Sequence, residues 1–224
     1  MATMAMHVHA HAFALTSLFV FDKTVNFCLH RVDDEKKREH TKWCAVHALV
    51  NLVIATYSFP SLWATFRWPT DSLEPTPTMI PVILGLWLHM YHALFYSLSS
   101  DDKWHHVFFV LILGTPAYMY TRRVTNCMLF FISGVPGAII YAFIALRRCN
   151  VFPFTKWDEP KLSLYVNLFF RTPGVLLTCY FIIIGVMAHP EDMPWPVVLI
   201  QVLLPIINVT YYTRQSVLRV ERRG

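Results

Sequence analysis

One apolar run is the clearest indication of the architecture: Met79-Ile-Pro-Val-Ile-Leu-Gly-Leu-Trp-Leu-His-Met-Tyr-His-Ala-Leu-Phe-Tyr-Ser-Leu98. Its 20 residues contain no Asp, Glu, Lys or Arg, and a helix of that length covers the roughly 30 Å of bilayer hydrocarbon. The run is continuously apolar, whereas the strands of a membrane β-barrel alternate between apolar and polar residues. The run therefore predicts a transmembrane helix.

Outward from this run, apolar segments recur along the whole chain. With 55% hydrophobic and 15% charged residues and a mean hydropathy of +0.43, the 224-residue chain is far less charged than a typical soluble domain. We therefore expect an all-α, polytopic transmembrane bundle. The first segment is interrupted by Asp22 and Lys23, so six or seven helices are expected. The segments are about 7–29, 44–66, 79–98, 104–120, 127–146, 162–188 and 195–213.

The basic residues are unevenly distributed between the two ends of these segments. The loops at 30–43, 99–103 and 147–161, together with the tail from Arg214, carry 14 Lys and Arg, whereas the opposite loops carry 3. The positive-inside rule then places the C-terminus in the cytosol, or in the matrix of a mitochondrion. Because these charges are spread between apolar segments, they do not indicate a nucleic-acid partner. The expected organisation is an N-terminal weak membrane or interfacial helix with a basic loop (1–40), the bundle (41–215) and a basic tail (216–224).

Histidines supply the main candidate site. His89 and His92 share one helical face, and His105 and His106 follow after a short loop. Three interpretations stay open. One is a metal site, for which the histidines are too few to resemble a membrane di-iron centre, so no metal is predicted. The second is a general base, with Asp101 or Asp102 orienting His105 or His106. The third is a set of structural hydrogen bonds at the membrane interface.

Arg171 lies about nine residues into the sixth segment. Pro173 favours a helix that begins later, with the arginine reaching back to the interface. The alternative is an arginine that faces the bundle interior and binds a lipid phosphate or carboxylate. In the fifth segment, Gly134-Val-Pro-Gly137 predicts a kink, which either opens space between helices or improves their packing.

Several motifs occur in an order that resembles the TLC-domain family, which includes the ceramide synthases. The resemblance covers roughly residues 40–215. The fifth segment contains no acidic residue, so the chain is more similar to a divergent branch outside the ceramide synthases. The motifs are Lys42-Trp43 before His47, Gly85-Leu-Trp-Leu-His-Met-Tyr91, Asp101-Asp-Lys-Trp-His-His106 and Phe130-Phe-Ile-Ser-Gly-Val-Pro-Gly137.

The resemblance implies a helical bundle that encloses a lipid-accessible cavity in an intracellular membrane. It also implies that His105 and His106, with Asp101 and Asp102, occupy the position of an acyl-transfer site. From the residues we expect lipid contacts at His89, His92 and Arg171, and no cofactor beyond bound phospholipid or another lipid. The enzyme hypothesis is acyl transfer in an ER-like endomembrane. The competing hypothesis is a non-catalytic subunit of a larger membrane complex, such as one of the mitochondrial inner membrane, that holds structural lipids.

Overall fold

The structure of the protein is a computed structural model. It describes residues 2–30, 34–98, 100–151, 153, 155 and 158–222, but not the side chains of residues 2–6, 101, 102 and 109. The described residues form helices and no β-strand, so the predicted all-α class is confirmed. We number seven helices, of which α4 has three parts. They are α1 Ala2–Cys28, α2 Glu35–Arg67, α3 Ile80–Phe95, α4 (Ser100–His105, His106–Ile112 and Gly114–Met119), α5 Arg123–Arg148, α6 Asp158–Ala188 and α7 Trp195–Glu221.

Four of these helices, α2, α5, α6 and α7, are long and apolar enough to cross a membrane. The α3 helix is apolar but shorter. Large apolar side chains lie on the outside of the molecule, as shown by Phe169 and Met187, which are 75% and 78% exposed. Such surfaces are unusual for a protein surrounded by water.

Six of the helices form a closed ring. Going round it, α2 packs against α3, α3 against α4, α4 against α7, α7 against α6, α6 against α5, and α5 against α2. The α1 helix lies outside this ring, on α2 and α3. The side chains that point into the ring from all six helices can therefore meet.

Polar contacts fix α1 to the outside of the ring. Asp22, which interrupts the first apolar segment, forms an ion pair of 2.6 Å with Lys42 of α2 and accepts a hydrogen bond from the Tyr91 hydroxyl of α3. Nearer the N-terminus of α1, the indole N–H of Trp87 donates to His11 Nδ1 at 2.9 Å. The charge that weakened the membrane prediction for this segment thus serves to dock the helix.

Two helices begin earlier than the apolar pattern predicts. The α2 helix begins at Glu35 because the carboxylate of Asp34 caps it by accepting from the Lys37 amide at 3.1 Å. The α6 helix begins at Asp158 and continues through Arg171 to Ala188. The prediction of a helix that begins near Pro173, with Arg171 reaching the interface, is wrong. Arg171 lies in mid-helix and is only 9% exposed.

Three stretches of the ring are π-helical: His106–Ile112, Phe130–Gly134 and Asn167–Arg171. Each precedes a proline (Pro116, Pro136 and Pro173) by two to four residues. A proline has no N–H to donate to the carbonyl four residues earlier, and its ring crowds that carbonyl. The carbonyls concerned, of residues 112, 132 and 169, all belong to the π-helical stretches, so the wider turns accommodate the prolines.

Candidate functional site

The interior of the ring contains a group of ionisable and aromatic side chains that we call the inner cluster. Each of the six ring helices contributes at least one member. Hydrogen bonds, edge-on contacts and a cation–π contact join His89, His92, His105, His106, Tyr212 and Arg171 in a chain of neighbours. Trp43, which stacks on His92 and contacts His47 edge-on, connects this chain to the stacked pair of His47 and Tyr141. The inner cluster comprises His47 of α2, His89 and His92 of α3, His105 and His106 of α4, Tyr141 of α5, Arg171 of α6 and Tyr212 of α7.

The inner cluster lies in one half of the bundle. His92 is one turn before the end of α3, and His105 is five residues after the start of α4. Tyr141 and Tyr212 lie in the C-terminal halves of α5 and α7. This is the half whose connecting segments carry most of the basic residues.

A chain of hydrogen bonds joins three ring helices. His89 Nδ1 donates to the carbonyl oxygen of Gly85 at 2.6 Å, which leaves Nε2 of the neutral ring as an acceptor. His105 Nε2 lies 3.1 Å from it and therefore donates, so that His105 Nδ1 accepts from the Tyr212 hydroxyl at 3.3 Å. These tautomers follow from the geometry of the bonds. The bond between the two imidazoles requires an N–H on one ring and a lone pair on the other. His89 and His105 therefore cannot both be protonated.

A second chain of contacts positions His47. The amide nitrogen of Asn51 donates to His47 Nδ1 at 2.6 Å, while Ser133 of α5 donates to the Asn51 amide oxygen at 2.7 Å. The imidazole of His47 stacks on the Tyr141 ring, with centroids 3.8 Å apart. Close approach of α5 to α2 depends on Gly137, where a Cβ atom would clash with the Asn51 amide nitrogen.

His92 and His106 complete the group of imidazoles. His92 stacks on Trp43 with centroids 4.0 Å apart, and His106 lies edge-on to both His92 and His89, at 5.3 and 5.4 Å. The edge-on contact between His106 and His89 connects His92 and His106 to the hydrogen-bonded pair of His89 and His105. Neutral imidazoles in such a cluster offer both N–H donors and lone-pair acceptors.

Arg171 is the cation of the inner cluster. Its Nη1 donates to the Asn167 amide oxygen at 2.8 Å, and its guanidinium lies over the Tyr212 ring, 5.8 Å from the centroid. The Tyr141 phenol also lies within electrostatic range. Among the described residues, its buried Nε atom has no hydrogen-bond partner, and the guanidinium forms no salt bridge to a carboxylate.

The π-helical stretches supply residues to this region. His106 begins the first, Ser133 lies in the second and Arg171 ends the third. A π-helical turn rotates the side chains that follow it relative to a regular helix, and such turns are frequent at functional sites. Here each turn contributes a polar residue to the same interior region.

The structure brings together five of the seven residues predicted as site residues: His89, His92, His105, His106 and Arg171. Asp101 and Asp102 belong to the first part of α4, but their side chains lie outside the described part of the chain. Tyr141 and Tyr212 were missed, because a single tyrosine in an apolar run is not distinctive.

Metal binding requires ligands that converge on one point. Within the described residues, no group of three or more His, Cys, Asp or Glu side chains is arranged to hold a metal ion. The imidazoles of the inner cluster instead contact one another edge to face or through hydrogen bonds.

No protein-family model, curated protein or solved structure matches this chain. The resemblance to the TLC-domain family therefore stays a prediction from the sequence motifs.

Proposed function

We propose that this chain is an integral membrane protein that binds a lipid, with the polar part of the lipid held by the inner cluster. The observation that carries the proposal is the closed ring of six helices, each of which directs an ionisable or hydrogen-bonding side chain inward. Titratable groups inside a membrane bundle are costly to bury and usually mark a substrate or ion site.

The outside of the ring supports membrane insertion. Four helices have the length and composition to cross a bilayer, and large apolar residues such as Phe95, Phe169 and Met187 are exposed. In this proposal α2–α7 form a six-helix membrane bundle, with α1 packed on its outer face. The positive-inside rule then puts the inner cluster in the cytosolic or matrix half of the membrane, with the C-terminus on that side.

Labelling with a photoactivatable phospholipid in membranes that contain the full chain tests the proposal. We expect labelled peptides from the ring interior. The double variant His89→Phe, His105→Phe, which removes the hydrogen bonds but keeps ring-sized side chains, should reduce this labelling about tenfold, as the loss of roughly 1.4 kcal/mol of binding free energy implies.

The matched control is His189→Phe, because His189 follows α6 at the end of the bundle opposite the inner cluster. Labelling of the His189→Phe variant should equal that of the wild type. Labelling confined to the outer surface and insensitive to the double variant would refute the proposal. Crosslinks to other proteins along the outer faces would favour the alternative of a non-catalytic subunit of a membrane complex.

Acyl transfer is a second candidate, and the favouring observation is the Tyr212–His105–His89 chain. An imidazole whose far nitrogen is fixed by a hydrogen bond is suited to accept a proton from a hydroxyl or amine. The bond to Tyr212 is the longest of this chain, so a substrate hydroxyl could replace it. Incubation of the purified chain with radiolabelled acyl-CoA and membrane lipids should yield labelled lipid. A His105→Ala, His106→Ala variant that transfers label equally well would eliminate these histidines as the base.

A further inference from the structure

We infer that the ligand of the inner cluster carries a phosphate or a carboxylate as its only charge, and that Arg171 is the residue that pairs with it. The inference rests on the proposed lipid-binding function and specifies the chemical class of the lipid. It depends on the charges of the described side chains around Arg171.

Arg171 is more than nine-tenths buried, and within the described part of the chain its hydrogen bond goes to an uncharged amide. Its Nε–H is buried without an acceptor among the same residues. A guanidinium is charged at every physiological pH and presents its N–H donors in a planar fork that matches a carboxylate or phosphate. A buried charge needs an opposite charge, because its desolvation is not offset by neutral hydrogen bonds alone.

The described neighbours of Arg171 do not supply that opposite charge. They are Asn167, which is engaged with Ser216 at 2.8 Å, and the phenols of Tyr141 and Tyr212. Those two phenols connect Arg171 to the histidines on both sides, through the Tyr141–His47 stack and the Tyr212–His105 hydrogen bond. An anion that reaches Arg171 therefore lies beside the aromatic side chains of Tyr141 and Tyr212.

The same arrangement disfavours two other lipid classes. A zwitterionic headgroup brings an ammonium group that would lie close to Arg171, and like charges at short range repel. An uncharged lipid supplies no counter-ion to the guanidinium, which has none among the described side chains. A fatty acid and an anionic phospholipid both satisfy Arg171, so the experiment uses one probe of each kind.

The test is the thermal unfolding of the purified, delipidated full chain in detergent with four probes: oleate, dioleoylphosphatidylglycerol, dioleoylphosphatidylcholine and monoolein. At a concentration 100-fold above Kd, a ligand raises the unfolding temperature by about 5–10 °C for a chain of this size. We expect this rise for at least one anionic probe. A response to oleate alone identifies a carboxylate, and a response to phosphatidylglycerol identifies a phosphate.

Arg171→Met is the decisive variant, with Arg219→Met as its control because Arg219 is an exposed arginine of α7. Without lipid, Arg171→Met should unfold at the wild-type temperature or above, because it removes a buried charge that has no carboxylate partner in the described part of the chain. With the anionic probe, its rise should disappear, whereas Arg219→Met should keep it. If Arg171→Met does not fold, Arg171→Lys retains the charge and should keep the anionic preference with a smaller rise.

Equal responses of the wild type to all four probes would overturn the inference, as would an Arg171→Met protein that is destabilised by the same amount with and without lipid. If monoolein or phosphatidylcholine stabilises the wild type most and His89→Phe abolishes that effect, the lipid site stands and only its anionic character is wrong. If none of the probes stabilises the wild type, the proposed function fails together with the inference.

Discussion

In the described part of the chain, two groups of polar residues can be compared inside the bundle, and α2 contributes to both. One is the inner cluster. The other, at the opposite end of α2, we call the serine–threonine seam, and it consists of Ser58, Ser61 and Thr65 of α2, Thr76 of the following loop and Asn126 of α5. Every member of the seam is buried, whereas the inner cluster combines the buried His47, His92 and Arg171 with residues that are only partly buried.

The two regions differ in charge. Asn126 donates to the Thr76 hydroxyl at 2.7 Å and to the Thr78 carbonyl at 3.0 Å, which ties the loop to the helices. Thr65 bonds within its own helix, to the carbonyl of Ser61. The seam is uncharged, and the atoms of it that lack a partner among the described residues, Ser58 Oγ and Asn126 Oδ1, are neutral. The inner cluster contains Arg171 and five imidazoles.

Buried polarity alone is thus no sign of function in this fold. The seam has what a structural network needs: short, neutral hydrogen bonds that fix a loop. The inner cluster has more than structure needs, because a buried cation without a described carboxylate partner lowers stability unless something binds it. Variants in the seam should therefore change stability only, whereas variants in the inner cluster should also change lipid binding.

The largest effect is expected for Gly137→Ala, in which the new Cβ must displace Asn51 and with it the bonds to His47 and Ser133. We expect a loss of about 1–3 kcal/mol in the free energy of unfolding and a weakened lipid response. Denaturant titration in detergent measures the first quantity. Gly85→Ala is the control, since a Cβ atom there would have no described neighbour within 4 Å beyond its own stretch of helix, and it should be neutral or stabilising by up to about 1 kcal/mol.

The corresponding change in the seam is Asn126→Ala. It removes hydrogen bonds to Thr76 and Thr78 and should reduce the free energy of unfolding by about 1–2 kcal/mol. The lipid-induced rise in unfolding temperature should equal that of the wild type. A seam variant that abolished the lipid response would show that the two regions are coupled, contrary to the division made above.

A double-mutant cycle of His89→Phe and His105→Phe measures the hydrogen bond between these imidazoles. Its coupling free energy should be about 1 kcal/mol, the usual net value of one such bond. Unfolding of the wild type, both single variants and the double variant provides the four values required. Additive effects of the two substitutions would mean that the bond does not form in the folded protein.

The smallest effect is expected for Tyr212→Phe. This variant removes the hydroxyl that lies 3.3 Å from His105 but keeps the ring beneath Arg171. We expect a loss of about 0.5 kcal/mol in stability, since long hydrogen bonds contribute little. In the same thermal assay, this variant should retain the response to the anionic lipid. A complete loss of the response would show that the ligand contacts this hydroxyl and not Arg171.

Much of this arrangement follows from sequence patterns. Apolar length predicted the helices, and the i, i+3 spacing placed His89 and His92 on one face. Each of the three π-helical stretches lies just before a proline: Pro116, Pro136 or Pro173. A proline within an apolar run therefore indicates where the helix departs from regular α-helical geometry, although it does not specify a π-helical turn. The position of Arg171 could not be predicted, because the same Pro173 is compatible with a helix start and with a wide turn inside a longer helix.

The arrangement of the six helices in a closed ring could not be predicted from the sequence either. Tyr141 and Tyr212 join the inner cluster only because α5 and α7 both contact α6, and helix neighbours of this kind depend on packing over the whole bundle. Asn51 likewise acquires its role from Gly137, which is distant in sequence and close in space.

Native mass spectrometry of the gently purified chain is the most direct test of the central claim that the inner cluster holds a lipid. We expect the 26.1 kDa chain to retain an adduct of lipid mass. The adduct should persist in Asn126→Ala and be lost in Arg171→Met and in the His89→Phe, His105→Phe double variant. Adducts of equal abundance in all four proteins, or none in the wild type, would show that the inner cluster does not hold a lipid.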